Sequence, residues 1–204
     1  MLLTRRVMSS LAFAKEREIG LKAVITASRL CSQVFNHLVS HDTLIKRDSS
    51  PVTIADYGSQ AIVNSILHQS FPEDAIVGEE DAQELYTNKD MLNSIVHLVQ
   101  SIHPQGLATH QDVLNAIDLG NHSGGPMGRF WTLDPIDGTK GFLRGEQFAV
   151  CLALIVDGIV QVSVMGCPNL PTDMSHPEER GCVFVAVRGQ GAFQVSHRKR
   201  VLIL

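Results

Sequence analysis

The sequence lacks the features that mark several classes of protein. None of its apolar runs is long enough to cross a membrane as a helix. Its 17 lysines and arginines are outnumbered by 21 acidic residues, which leaves a formal net charge of -4. This balance excludes the basic field that attracts nucleic acid or an anionic membrane. There is no internal repeat, and we expect neither a nucleic-acid nor a membrane partner.

Cysteine is scarce and unpaired in the sequence. The four cysteines are far apart and form no C-x-x-C pair: Cys31, Cys151, Cys167 and Cys182. This spacing favours reduced, buried thiols in an intracellular protein over disulfides or zinc ligands. The composition is 44% hydrophobic and 19% charged, which is typical of a globular protein with a sizeable core.

The length of 204 residues allows one large domain or a domain with an extension. Residues 1–13 are interpreted as a leader, since Arg5, Arg6 and Lys15 occur near the start without any acid, as in organelle transit peptides. The domain itself is predicted over residues 14–195, and residues 196–204 are interpreted as an unrelated tail. We expect a cytoplasmic location, with the chloroplast or mitochondrion as alternatives.

Hydrophobic periodicity predicts two long amphipathic helices, over residues 14–38 and 53–69. A loop should precede the second helix, because Pro51 disfavours helical geometry at Ser50. Asp56 would then lie in the first turn, where the helix dipole favours a carboxylate. The shorter elements predicted in this half are a strand at 44–46 and helices at 91–100 and 111–117.

Strands are predicted through the remainder of the chain. A buried strand over 75–78 runs into an acidic sequence at 79–81, which is also compatible with a solvated loop. Two β-branched sequences joined by Asp157-Gly158 give a strong hairpin signal. The first predicted hairpin pairs residues 148–156 with 159–165. The second pairs residues 182–187 with 192–195. Between the hairpins, residues 166–171 should leave the sheet and 171–180 should form an exposed loop.

The central motif is a strand that ends in two carboxylates. An apolar sequence over 130–133 runs into Asp134 and Asp137, which lie on either side of Pro135 and Ile136. Proline has no N–H group and a fixed φ, so we expect the chain not to continue as a central strand there. Both carboxylates should therefore lie close together at the carboxyl end of the strand.

Two residues after the acids suggest an anion site beside them. Gly138 permits a tight turn, and Thr139 is a suitable N-cap for a following helical turn. Carboxylates attract hard cations, while a helix N-terminus attracts phosphate. The combination indicates metal-dependent phosphoryl transfer. A surface turn of the Asp-Pro and Asp-Gly type is the alternative.

Three motifs together resemble a known family. They are SPVTIAD at 50–56, VGEE at 77–80 and DPIDGT at 134–139. Their order and spacing resemble the lithium-sensitive, magnesium-dependent phosphatases of the inositol monophosphatase superfamily, over residues 12–195. The finer match is to the 3'(2'),5'-bisphosphate nucleotidases, because of SPVT at 50–53 and DGTKGFLRG at 137–145.

The resemblance implies a fold and a reaction. The fold would be the N-terminal part of the layered, α+β or α/β, sugar-phosphatase fold, with long helices on a mostly antiparallel sheet. The reaction would remove the 3'-phosphate from adenosine 3',5'-bisphosphate, a by-product of sulfur metabolism. Phosphoadenosine phosphosulfate and inositol phosphates are further substrates of some members, and an inositol monophosphatase is the sister alternative.

The resemblance also implies a set of metal ligands. Glu79, Asp134 and the carbonyl oxygen of Ile136 would share one Mg2+. Asp134 would bridge to a second ion, which Asp137 would also hold. A site of two or three ions is implied, and such ions polarise the phosphate and stabilise the leaving oxygen.

Roles for the remaining motif residues follow from the same resemblance. Asp56 and Thr139 would orient and deprotonate the attacking water, as a general base with a hydroxyl relay. The backbone N–H groups of Gly138 and Thr139 would bind oxygens of the substrate phosphate.

The sequence departs from the family pattern after the central motif. Family members continue with a further domain that supplies another metal-ligating Asp in a Trp-Asp-x-Ala motif, and nothing similar follows Asp137. We therefore expect a truncated isoform or fragment with an exposed, apolar sheet face that favours association. A catalytically impaired chain that binds metal or a partner subunit is the alternative to an active phosphatase.

Overall fold

The computed structural model describes residues 12–40 and 50–196. The strand predicted at 44–46, most of the leader and most of the tail lie outside these residues. The described elements are helices α1 (Ala14–Ser40), α2 (Ser50–Ser70), α3 (Lys89–Ile102), α4 (His110–Asp118) and α5 (Thr139–Leu143), a 3-10 turn (Glu84–Tyr86), and strands β1 (Ala75–Val77), β2 (Arg129–Asp137), β3 (Ala149–Val156), β4 (Ile159–Asp173), β5 (His176–Val187) and β6 (Gly191–Ser196).

The described strands form one six-stranded sheet in the order β1-β2-β3-β4-β5-β6. β1 is parallel to β2, and every other neighbouring pair is antiparallel. Helices α1 and α2 pack on each other and on this sheet, and α3 and α4 pack on α2. The predicted α+β class, with long helices on a mostly antiparallel sheet, is therefore confirmed.

Side chains alternate between the two faces of the sheet, as a strand period of two requires. Leu152, Leu154 and Val164 are buried on the helix side, whereas the intervening Ala153 is only half-buried. α1 approaches this face closely, since a Cβ added at Gly20 would lie 3.2 Å from Val164 Cγ2. The core therefore lies between α1, α2 and one face of the sheet.

Helix α2 begins three residues earlier than predicted, and this changes the setting of Asp56. Ser50 and Pro51 are already helical. Proline is tolerated in a first helical turn, because the N–H that it lacks has no partner there. Asp56 consequently lies beyond the first turn, which contains no acid. The predicted dipole stabilisation of Asp56 is therefore wrong.

Strand β2 continues through Pro135, so the prediction that proline ends it is also wrong. β1 pairs with β2 only as far as Thr132, so Pro135 has no neighbour on that side that needs its N–H. Against β3, the register shifts between Asp134 and Asp137. One extra residue on β2 is therefore accommodated as a β-bulge at the position of the proline.

Both predicted hairpins are confirmed, and β4 and β5 also pair with each other beyond the predicted segments. Asp157 and Gly158 have φ values of 50 and 72, as a two-residue type I′ turn requires. The segment 166–180 was predicted to leave the sheet, yet β4 and β5 remain paired to Asp173↔His176. Register shifts on both sides of Pro171 accommodate the prolines without ending the strands.

The sheet face turned away from α1 carries apolar side chains. Cys151, Met165 and Phe184 are neighbours across β3, β4 and β5. Met165 is 43% exposed, and the other two are half-buried. Thr132 and Asp134 continue this face on β2 and lead to the carboxylates.

We predict that this face mediates self-association at high concentration. Met165→Glu should weaken that association at least about tenfold, because a charge buried without a partner is costly. Sedimentation analysis over a concentration series measures the effect. Met174→Glu is the matched control, since Met174 is 83% exposed at the β4–β5 turn. Equal effects of both changes, or none, would contradict the prediction.

Candidate active site

Helix α2 holds one carboxylate of the predicted site in the protein interior. The Asp56 side chain is buried, with 8% of the residue exposed. Burial is the largest of the effects that raise the pKa of this carboxyl from 3.8 to about 8, and the nearby charges of Glu80, Glu79 and Asp134 contribute in the same direction. Asp56 therefore lies in an environment that is already strongly negative.

Asp134 lies at the start of the bulge in β2. Burial is the largest of the effects that raise its pKa to about 6, and the charges of Glu79 and Asp137 and a side-chain hydrogen bond with Glu79 contribute in the same direction. A backbone hydrogen bond from Ile136 to the carboxylate partly opposes this increase. Its Oδ1 atom is buried and has no hydrogen-bond partner among the described residues. Buried polar atoms normally have partners, so this oxygen is available for a ligand.

The register of the two parallel strands explains how Glu79 reaches Asp134. Val77 pairs with Thr132. Glu79 follows Val77 by two positions, and Asp134 follows Thr132 by two positions. The two carboxylates therefore leave the same edge of the sheet at the same level. Glu79 is exposed, whereas Glu80 is half-buried. Burial raises the pKa of Glu80, and the charges of Asp81 and Glu84 raise it further.

The end of β2 carries the remaining motif residues, of which Ile136 is buried while Asp137, Gly138 and Thr139 lie at the surface. Ile136 lies within the bulge and has no register partner on β3. Asp137 is exposed, and its Oδ2 atom is 4.0 Å from Cys151 Sγ. Gly138 has φ 89 and is the N-cap of α5, so the prediction that Thr139 is the cap is wrong. Thr139 is instead the first helical residue, because the left-handed cap position favours glycine.

The predicted residues fit a hard divalent cation in three respects. The donors are carboxylate and carbonyl oxygens, which Mg2+ prefers. Asp134 Oδ1 lacks a partner. The raised pKa values of Asp56 and Asp134 show negative charge that a cation would neutralise. In residues 12–40 and 50–196, no three acidic, His or Cys side chains already form metal-binding geometry, although Glu79 is close enough to hydrogen-bond Asp134.

Two neighbours of Asp56 contact the site and were not predicted. Ser59 Oγ donates to the carbonyl oxygen of Pro135 at 3.3 Å, and the Gln60 amide bonds the backbone of Glu79 and Glu80. Both side chains are completely buried. Their signal in the sequence is polarity at helical spacing, since Asp56, Ser59 and Gln60 recur at intervals of three and four on one face.

The comparison with known proteins agrees with the motifs. The model of the inositol monophosphatase family matches residues 14–201. This chain belongs to the inositol monophosphatase family. The described residues contain no helix with the length and apolarity needed to span a bilayer.

Curated relatives give a more specific similarity. The chain is 45% identical over 200 residues to the 3'(2'),5'-bisphosphate nucleotidase of Schizosaccharomyces pombe, with 91% of this chain and 57% of that protein covered. It is 47% identical over 197 residues to 3'(2'),5'-bisphosphate nucleotidase 1 of Candida albicans, with 89% and 54% covered. The chain thus spans about half the length of the curated relatives it matches.

Solved structures share the fold at low sequence identity. The inositol monophosphatase of Anabaena superposes with a TM-score of 0.55 at 18% identity, covering 95% of this chain and 51% of that one. CysQ of Bacteroides thetaiotaomicron gives a TM-score of 0.52 at 19% identity, covering 92% and 51%. These neighbours confirm the predicted layered phosphatase fold.

We predict that Asp56→Asn flattens the pH dependence of stability in metal-free protein. The folded carboxyl keeps its proton to a pKa of about 8, whereas the ordinary pKa of an aspartate side chain is 3.8. The folded state therefore binds more protons across this window, and stability must decrease as pH rises through it. Urea unfolding from pH 4 to pH 8 in EDTA measures the effect. An unchanged slope in the variant would contradict the role of Asp56.

Proposed function

We propose that this chain supplies the metal-binding and water-activating groups of a 3'(2'),5'-bisphosphate nucleotidase. The observation that carries the proposal is the convergence of Asp56, Glu79 and Asp134 from three separate elements. The identity of 45–47% with named nucleotidases favours adenosine 3'(2'),5'-bisphosphate as the substrate. Phosphoadenosine phosphosulfate and inositol phosphates are proposed as secondary substrates.

Asp56 and Thr139 are the proposed groups for activating water. Asp56 is a buried carboxylate beside the proposed metal ligands, and it would accept the proton of the attacking water as a general base. Thr139 is exposed at the start of α5 and its hydroxyl would relay the proton toward Asp56. Both residues would thereby hold the attacking water beside the phosphorus atom.

The remaining motif residues would bind the ions and the phosphate. Glu79, Asp134 and the Ile136 carbonyl oxygen would hold one Mg2+, while Asp134 and Asp137 would hold a second. When bound, the ions polarise the phosphate and stabilise the leaving oxygen. The N–H groups of Gly138 and Thr139 would donate to phosphate oxygens at the beginning of α5.

A second candidate function is a metal-binding subunit that requires a partner for turnover. The exposed apolar face of the sheet favours it, because a contiguous apolar face is usually covered by another protein surface. The exposed face around Met165 is the surface through which such a partner would pack. Intact Mg2+ binding without phosphate release would distinguish this candidate from an active phosphatase.

Asp134→Asn is predicted to abolish Mg2+ binding while preserving the fold. Wild-type protein should melt at a higher temperature as Mg2+ is added, because a ligand that binds the folded state stabilises it. The variant should lose this increase. Its metal-free melting temperature should rise, since each kcal/mol of relieved repulsion corresponds to about 2–4 °C in a domain of this size.

Asp157→Asn is the matched control for this change, because it removes a charge at the β3–β4 turn and keeps an acceptor for Gly128 N–H. The control should respond to Mg2+ like wild type. An Asp134→Asn variant that unfolds yet keeps its Mg2+ response would show that the carboxylate is structural and that the metal site is wrongly placed.

The substrate is predicted to be adenosine 3',5'-bisphosphate rather than inositol 1-phosphate. Phosphate release from both compounds should be measured with this chain at equal concentrations in Mg2+. Faster release from the nucleotide, removed by EDTA, is the expected result. Faster release from inositol 1-phosphate would overturn the substrate assignment. Release from neither compound would favour the non-catalytic, metal-binding subunit.

A further inference from the structure

The Gln60 side chain is a fully buried amide that joins α2 to the loop after β1. Its Oε1 atom accepts hydrogen bonds from the backbone N–H groups of Glu79 and Glu80, both at 3.0 Å. Its Nε2 atom donates to the carbonyl oxygens of Glu80 at 2.5 Å and Ile117 at 3.0 Å. Two accepted and two donated bonds use the full hydrogen-bonding capacity of an amide.

Two glycines allow the loop to pack directly on this amide. A Cβ added at Gly78 would lie 2.5 Å from Gln60 Oε1, and one at Gly120 would lie 2.8 Å from Nε2. The backbone of Gly78 also donates to the Gly120 carbonyl oxygen at 2.8 Å. The amide is therefore enclosed between two close backbone segments, and this packing together with its four bonds fixes its orientation.

The bonds made by Gln60 connect two groups of the proposed site. Gln60 follows Asp56 by four residues on α2, so both side chains leave the same face of one rigid helix. Asp56 faces the carboxylates, while Gln60 fixes the backbone that carries Glu79. One turn of α2 therefore sets the position of Glu79, the predicted metal ligand, relative to Asp56, the predicted base.

We propose that Gln60 is a positioning residue that sets the Mg2+ affinity of the site by fixing the backbone of Glu79 and Glu80. This inference rests on the proposed Mg2+ site. Glu79 is exposed, and its side chain lies within hydrogen-bonding reach of Asp134. A fixed backbone reduces the conformational entropy that Glu79 loses when it binds a cation shared with Asp134. Without Gln60, two N–H groups of the loop lose their acceptor and the loop can adopt other conformations.

Asn64 provides an internal control for a purely structural role. It lies one turn beyond Gln60 on α2, is also completely buried, and also donates to the Ile117 carbonyl oxygen, at 3.3 Å. Its other bond is to the Ala116 carbonyl oxygen at 2.9 Å. Neither bond reaches the loop of Glu79 and Glu80, so loss of Asn64 removes buried amide bonds without releasing that loop.

The experiment compares Mg2+ binding by isothermal titration calorimetry in wild type, Gln60→Met and Asn64→Leu, well below each melting temperature. Both variants should melt at lower temperature, because each loses buried hydrogen bonds. Gln60→Met should bind Mg2+ about 10–100-fold more weakly, the usual effect of losing an outer-shell partner. Asn64→Leu should retain the wild-type affinity. If Gln60→Met fails to fold, Gln60→Asn takes its place in the comparison, because asparagine keeps the amide on a shorter side chain.

Each outcome distinguishes this inference from the proposed function. Wild-type Mg2+ affinity in the Gln60 variant would overturn the positioning role and leave the metal site intact. An equal loss in both variants would also overturn it, because the effect would then be a general consequence of buried amides. Absence of Mg2+ binding in wild type would overturn the proposed metal site itself, and with it this inference.

Discussion

Repulsion between crowded carboxylates is the constraint on which the rest of the site depends. Asp56, Glu79 and Asp134 come from three different elements and are close enough to influence one another's ionisation. Burial of two of these groups strengthens the repulsion, because a low local dielectric screens charge poorly. Such an arrangement is unfavourable in isolation, and a divalent cation is the simplest counterion for it. The fold therefore has to hold these groups together against their own charge.

The opposite ends of β1 and β2 carry hydrogen bonds that hold the two strands together against the repulsion between the carboxylates. Asp74, directly before β1, accepts hydrogen bonds from Arg129 Nε at 2.8 and 2.9 Å and from Trp131 Nε1 at 2.9 Å. Hydrogen bonds between charged groups are stronger than neutral ones, and this set fixes the register of β1 against β2. Because the register is fixed, Glu79 and Asp134 emerge at the same level. The core packing of β2 on α2 then keeps Asp56 beside them.

Local sequence patterns were sufficient to predict the acidic residues of the site, but not the residues that position them. An apolar strand that ends in Asp134 and Asp137 is visible in the sequence, and so is the acid after β1. The sequence did not predict that β2 continues through Pro135. This continuation depends on the short length of β1, which leaves Pro135 without a hydrogen-bonding neighbour on that side, and strand length cannot be read from the proline itself. Gln60 was missed because its partners lie 19, 20 and 57 residues away. A buried amide gives no local signal beyond its helical spacing from Asp56 and Ser59.

The most direct test of the metal site is paramagnetic broadening of backbone amide resonances by substoichiometric Mn2+, a substitute for Mg2+ at oxygen sites. The expected result is broadening centred on Glu79, Asp134 and Gly138, three places separated in sequence, with Asp56 on α2 also affected. Displacement by excess Mg2+ should restore the signals. Broadening confined to the acidic residues 79–84, or spread evenly over exposed carboxylates, would contradict a shared site at the ends of β1 and β2.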